Sequence, residues 1–214
     1  MIAAGIAVAL AGTWLAFAGL GMSGHMAGHM LAVAVAAPLV ALHRTPAKAG
    51  AQVRANGNLA LRTVTSAFPS GPRPSPGYIA GAPLFWMVAE LLLIWGWHLP
   101  APRDAADMNA ALALAEQASF LLVGLALWRA SLAAPAAGIA ALLLTSMHMT
   151  LLGALIGLAP RPLYAMMAMH PAPGLDALAD QQLGGAIMLA IGGASYLAGG
   201  LWMLGQVLRA EATA

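Results

Sequence analysis

Several stretches of about twenty residues in this chain are almost free of ionisable side chains, and from Met1 to His43 there is no Asp, Glu, Lys or Arg. Twenty apolar residues in a helix cross a hydrocarbon core about 30 Å thick. Lipid offers no hydrogen bonds to the backbone, so each such stretch must bond internally, which a helix does. Composition agrees: of 214 residues, 61% are apolar and 7% charged, against roughly 25% charged in a soluble domain. A chain this poor in charge cannot cover a soluble fold with polar groups. The period-two alternation of an outer-membrane barrel is absent. The sequence therefore predicts an all-α, polytopic integral membrane helix bundle with about six transmembrane helices. The expected spans are roughly 1–19, 23–43, 79–98, 109–129, 135–157 and 181–206.

Residues 1–214 read as one membrane domain, interrupted by a basic, Pro-rich loop at about 44–78. Its prolines, Pro69, Pro72, Pro74 and Pro76, favour extended chain, and Ala51 to Ala67 suits an amphipathic helix lying on the membrane surface. Basic residues in short loops stay cytoplasmic. With the 44–78 loop inside, seven basic residues are cytoplasmic: Arg44, Lys48, Arg54, Arg62, Arg73, Arg129 and Arg209. Only Arg103 and Arg161 fall outside. The opposite orientation reverses the bias, so both termini are expected in the cytoplasm of a bacterium, with the protein multi-pass in the inner membrane. The first twenty residues lack a basic leader and read as a retained helix. The pI near 9.5 serves topology; no basic stripe or stacking motif points to nucleic acid. Without cysteine, disulfides, thiolate metal sites and thiol catalysis are excluded.

This topology gathers the rare residues at the non-cytoplasmic end. Span two begins there with Met22, His25, Met26, His29 and Met30, which fall within an arc of about 140° on one helix face. His25 and His29 are one turn apart, a spacing at which two imidazoles can share a metal. Span three ends at Trp97-His98-Leu99-Pro100, span four begins near Asn109 and Glu116, and span five carries Met147-His148-Met149 in its outer half. An outer loop adds Met166, Met167, Met169 and His170, and span six starts at Asp180-Gln181. Polar residues in apolar spans are costly and usually functional. The candidate metal ligands are His25, His29, His98 and His148, with Met26, Met30 and Met149 as soft supplements and Glu116, Asp180 and Gln181 around them. Thioether with imidazole and no thiolate favours copper, especially Cu(I). Met87 and Met203 read as core filler, Trp95 and Trp97 as interfacial anchors, and His170 as solvated. Glu90, about 12 Å below His98 by helical rise, is either structural or part of a proton or ion path.

These residues resemble the CtaG family of membrane-bound cytochrome c oxidase assembly factors. The matching pieces are His25-Met26-Ala27-Gly28-His29-Met30 with the run to Pro38-Leu39, Trp97-His98-Leu99-Pro100, Glu116 with Phe120 and Trp128, Gly153-Ala154, Leu163-Tyr164, and Asp180 through Met188. They occur in the family's order over roughly residues 22 to 188. The resemblance implies a non-enzymatic role in building the copper-containing oxidase, holding or delivering copper on the periplasmic side, with oxidase subunits or a periplasmic copper carrier as partners. The chain departs from the family in having Gln117 and Ala113 where members usually have His, and six expected spans where seven are typical.

Three other readings compete. An intramembrane zinc hydrolase would use His with Glu116 or Asp180 to activate water, but His-Glu-x-x-His is absent. A haem- or quinone-linked electron carrier would use histidines from facing helices. A scaffold docking oxidase subunits would use its histidines only for helix packing. A homo-oligomer is compatible with all of these.

Overall fold

The structure, a computed structural model, describes residues 1–43 and 82–212. The basic, Pro-rich loop and the amphipathic helix expected over 51–67 lie outside the described residues. All regular structure among the described residues is helical. Helix α1 is Ile2–Phe17. Helix α2, Gly21–Met30, runs through a π-helical segment, Leu31–Ala36, into α3, Ala37–His43, as one rod. Then come α4 (Pro83–Trp97), α5 (Pro100–Met108), α6 (Ala110–Ala133), α7 (Pro135–Gly157) and the short α8 (Ala165–Met169). The last rod joins α9 (Ala177–Ile187), a second π segment (Met188–Gly193) and α10 (Ala194–Ala212).

The helix starts are written in the sequence. Pro83, Pro100 and Pro135 each sit in the first turn, where their missing N–H costs nothing. The Asn109 side chain caps α6 by accepting from Ala111 and Leu112 N–H, and Asp176 caps α9 by accepting from Ala179 N–H. Pro100 also disfavours helical backbone at the residue before it. Leu99 is accordingly extended, at φ −68° and ψ 144°, and α5 leaves α4 at 69°. That bend turns the segment after His98 back over the bundle.

The two π segments are held by hydroxyls from neighbouring helices. Ser195 Oγ donates to Ala34 O at 2.5 Å and Tyr196 Oη to Val33 O at 3.3 Å. Ser146 Oγ donates to Gly193 O at 2.7 Å in the second segment. A widened turn leaves carbonyls poorly paired within the helix, and side-chain donors satisfy them here.

The surface is inverted relative to a soluble protein. Leu10, Trp14, Leu92, Leu122 and Leu155 are exposed, whereas Glu90, Arg103, Glu116 and Asp180 are buried. Large exposed apolar faces need a partner phase, and a bilayer supplies one. Four helices are long and apolar enough to cross it: Gly21–His43, Ala110–Ala133, Pro135–Gly157 and Ala177–Ala212. The bent α4–α5 pair makes a fifth if it counts as one span. Helix α1, with 16 residues, is about 24 Å long and falls short of the others. The described residues thus give four to five spans where the sequence predicts about six.

Candidate metal site

The position of α2 along its axis decides where its histidines lie, and Asp180 sets that position. Its carboxylate, carried on α9, accepts from Met22 N–H at 2.6 Å, Ser23 N–H at 3.0 Å and Ala172 N–H at 3.2 Å. The free N–H groups of a helix start favour a negative partner, and here it comes from another helix. Gly21, at φ +60°, allows the tight entrance, because a Cβ there would collide with Asp180 Oδ2 and the Ala172 backbone. Further along α2, Gly28 lies against α1: a Cβ at Gly28 would stand 2.5 Å from Gly12 O and 2.6 Å from Ala16 Cβ.

His25 and His29 project from this anchored helix with ring centroids 4.0 Å apart and planes at 85°. Their Nε2 atoms meet at 2.5 Å. Hydrogen bonding assigns the protons. Gln117 Nε2 donates to Gly28 O at 3.2 Å, so its Oε1 is the atom facing His29 Nδ1 at 2.6 Å. Oε1 only accepts, so Nδ1 carries the proton and Nε2 presents a lone pair. Arg103 has only donors, and its Nη1 lies 2.5 Å from His25 Nε2, which is therefore also an acceptor. Two imidazole lone pairs converge on one point.

Glu116 completes the cluster. Its Oε2 is 3.7 Å from His25 Nε2 and accepts from Arg103 Nη1. Its Oε1 is 3.6 Å from His29 Nε2 and has no hydrogen-bond partner. One ligand atom from each of His25, His29 and Glu116 lies within 4.8 Å of the others, and all three residues are buried. Two imidazole nitrogens and an orphaned carboxylate oxygen form a donor set that suits a borderline metal ion. Arg103, 1% exposed, reaches the cluster because the bend at Leu99 folds α5 inward. Its Nη2 donates to Asp107 Oδ1 at 2.7 Å.

His98 borders the pair, with its ring centroid 6.4 Å from that of His29. Its Nδ1 donates to Ile94 O at 2.7 Å, and Phe120 packs against both rings. Tyr164 Oη donates to His98 O at 2.9 Å. Burial pushes the Tyr164 phenol up to about 12, so it stays a neutral donor at physiological pH. A cavity of about 610 Å³ reaches His25, His29 and Arg103, and its walls also carry Met108, Met166, Met167 and His170.

Over residues 2–210 the chain matches the family described as cytochrome c oxidase caa3 assembly factor. It belongs to that family. No curated protein and no solved structure matches it.

In this assembly factor the residues singled out from sequence take different places. His25, His29 and Glu116 come together, Glu116 within reach of both imidazoles, with His98 beside them. His148 is buried with both ring nitrogens lacking a hydrogen-bond partner, and among the described residues it shares no ring contact with the other histidines. Met26, Met30 and Met149 are buried in the hydrophobic core, where Met30 and Met149 meet at Gly192. Asp180 positions α2, as above. Gln181 fastens the chain after α7, accepting from Leu163 N–H at 2.6 Å and donating to Ile156 O and Arg161 O. Sequence reasoning missed Arg103, counted only as an outer-loop charge, and Gln117, noted only as a departure from the family. The available signals were Pro100, which forces a turn, and the Arg103/Asp107 spacing of four, which makes them one helix face.

Proposed function

We propose that this assembly factor binds copper as Cu(I) at His25 and His29, with Glu116 alongside, and holds or passes it on during cytochrome c oxidase assembly. The observation that carries the reading is the pair of Nε2 atoms held facing each other where His25 and His29 line a cavity. Three further features support it. The cavity walls carry the thioethers of Met108, Met166 and Met167, soft donors suited to Cu(I). The family assembles a cytochrome c oxidase, and the sequence resemblance implies that this oxidase contains copper. The basic-residue bias supports an orientation with this end of the bundle on the periplasmic side of a bacterial inner membrane. The role is that of a carrier and not an enzyme, and its partners are a copper donor and an oxidase subunit.

The test is anaerobic Cu(I) titration of detergent-purified protein against a chromophoric chelator. Wild type is expected to withdraw one equivalent and the His25→Ala/His29→Ala double variant none. Identical curves for the two proteins would sink the proposal. Zinc recovered without copper would favour the hydrolase, since two His and one Glu is also a donor set of catalytic zinc.

A further inference from the structure

We infer that Arg103 determines which ions the site accepts: its fixed positive charge beside His25 and His29 favours a monovalent cargo over a divalent one. The inference rests on the metal reading above and adds to it a residue that is not a ligand.

The guanidinium stands where a cation would stand. Nη1 contacts both His25 Nε2 and Glu116 Oε2, two of the three candidate ligand atoms. The hydrogen bonds leave both imidazoles with outward lone pairs, so they bring no charge. The charged groups around the point are therefore Glu116 from α6 and Arg103 and Asp107 from α5. Helix α2 contributes no Asp, Glu, Lys or Arg, and the Asp180 carboxylate is turned to the α2 N–H groups. Glu116 is thus already balanced by Arg103. An arriving ion must displace Nη1 from His25 and Glu116 while the guanidinium stays near, tethered by Nη2 to Asp107.

Coulomb energy scales with the product of the charges. The repulsion from Arg103 is therefore about twice as large for a 2+ ion as for a 1+ ion at the same point. Arg103 and the imidazoles are buried, so salt screens this repulsion less than it would at the surface. Without Arg103, a two-histidine, one-carboxylate set is an ordinary home for zinc. With it, the same ligands are biased towards Cu(I). The bias also limits affinity, which suits a protein that must release its cargo.

The experiment compares Cu(I) and Zn(II) dissociation constants for full-length protein in detergent, using wild type and Arg103→Met, Arg103→Lys and Asp107→Asn variants. Arg103→Met is expected to tighten Cu(I) by about tenfold and Zn(II) by about a hundredfold, following the charge product. Arg103→Lys keeps the charge and is expected to keep the wild-type ratio of the two constants. Asp107→Asn removes a negative neighbour and moves both constants the other way, Zn(II) more than Cu(I). Asp107 is partly exposed, with 19% of its side chain accessible, so this variant carries the test if Arg103→Met does not elute as a folded species. Cu(I) binding with a ratio unchanged in both Arg103→Met and Asp107→Asn overturns the role of Arg103 and leaves the copper reading standing. Wild type binding no more Cu(I) than His25→Ala/His29→Ala overturns the copper reading itself.

Discussion

The bundle buries two glutamates, Glu116 and Glu90, and treats them in opposite ways. Glu116 is met by a guanidinium and two imidazoles and adjoins residues that line an open cavity. Glu90, with 0% exposure, forms no ion pair among the described residues. Tyr196 Oη donates to its Oε1 at 2.5 Å, the same hydroxyl reaches Val33 O, and Trp128 stacks on the Tyr196 ring at 5.8 Å. A lone carboxylate in low dielectric is costly. Around Glu116 the chain answers with compensating charge, and around Glu90 with the Tyr196 hydroxyl. The first arrangement has exchangeable partners and a way in. The second ties α4 to α10 and to the first π segment. The contrast separates a site from a brace.

If that contrast holds, the sites respond differently to loss of charge. Glu116→Gln strips Arg103 of its buried ion-pair partner and leaves it the Asp107 carboxylate and the His25 contact. Breaking a buried pair from one side costs about 3–5 kcal/mol, and Cu(I) affinity should fall as well. Thermal unfolding in detergent, followed by tryptophan fluorescence, measures the first effect and chelator competition the second. A Glu116→Gln protein as stable as wild type would remove the charge network from the account. Next in size is Gly28→Ala. Its new Cβ meets Gly12 O and Ala16 in the α1 contact, and such overpacking typically costs about 1–3 kcal/mol. Gly28 O also receives the Gln117 amide, so a shifted α2 should loosen the His29 orientation and weaken Cu(I) binding. Unchanged unfolding temperature would show that α1 moves aside freely.

Much of this was legible in the sequence. Charge-poor stretches located the long helices closely, as for 135–157 against Pro135–Gly157, because length and apolarity alone decide whether a segment can cross lipid. The His25/His29 pair was legible because helical spacing is local. Four things were not. Arg103 was read as a loop charge because counting basic residues assigns a side of the membrane and is blind to a segment that bends inward at Leu99-Pro100. His148 was grouped with the other histidines by depth, but depth does not fix which face of α7 turns towards α2; packing does. Sequence proximity groups Met26, Met30 and Met149 with the histidines, and only packing shows that they sit in the hydrophobic core. Gln117 gained its meaning only once α6 lay beside α2 and its amide bridged Gly28 and His29.

The gentlest tests fall on the brace. Tyr196→Phe removes the one hydroxyl shared between Glu90 Oε1 and Val33 O. An unsatisfied buried acceptor costs about 1–3 kcal/mol, so the unfolding temperature should drop while Cu(I) affinity stays at the wild-type value. Glu90→Gln is milder. The amide keeps an oxygen to accept from Tyr196 and gives up a group that low dielectric disfavours in its charged form, so stability should change by less than about 1 kcal/mol. The two variants together separate a brace from an ion path. A brace needs an acceptor at Oε1, which Gln supplies, so it tolerates Glu90→Gln better than Tyr196→Phe. A path needs a carboxyl that can gain and lose a proton, which Gln cannot do. If Glu90→Gln abolished oxidase assembly in cells while the purified protein kept its unfolding temperature and its Cu(I) affinity, Glu90 would carry function through its protons, and the division between the two glutamates would have to be redrawn.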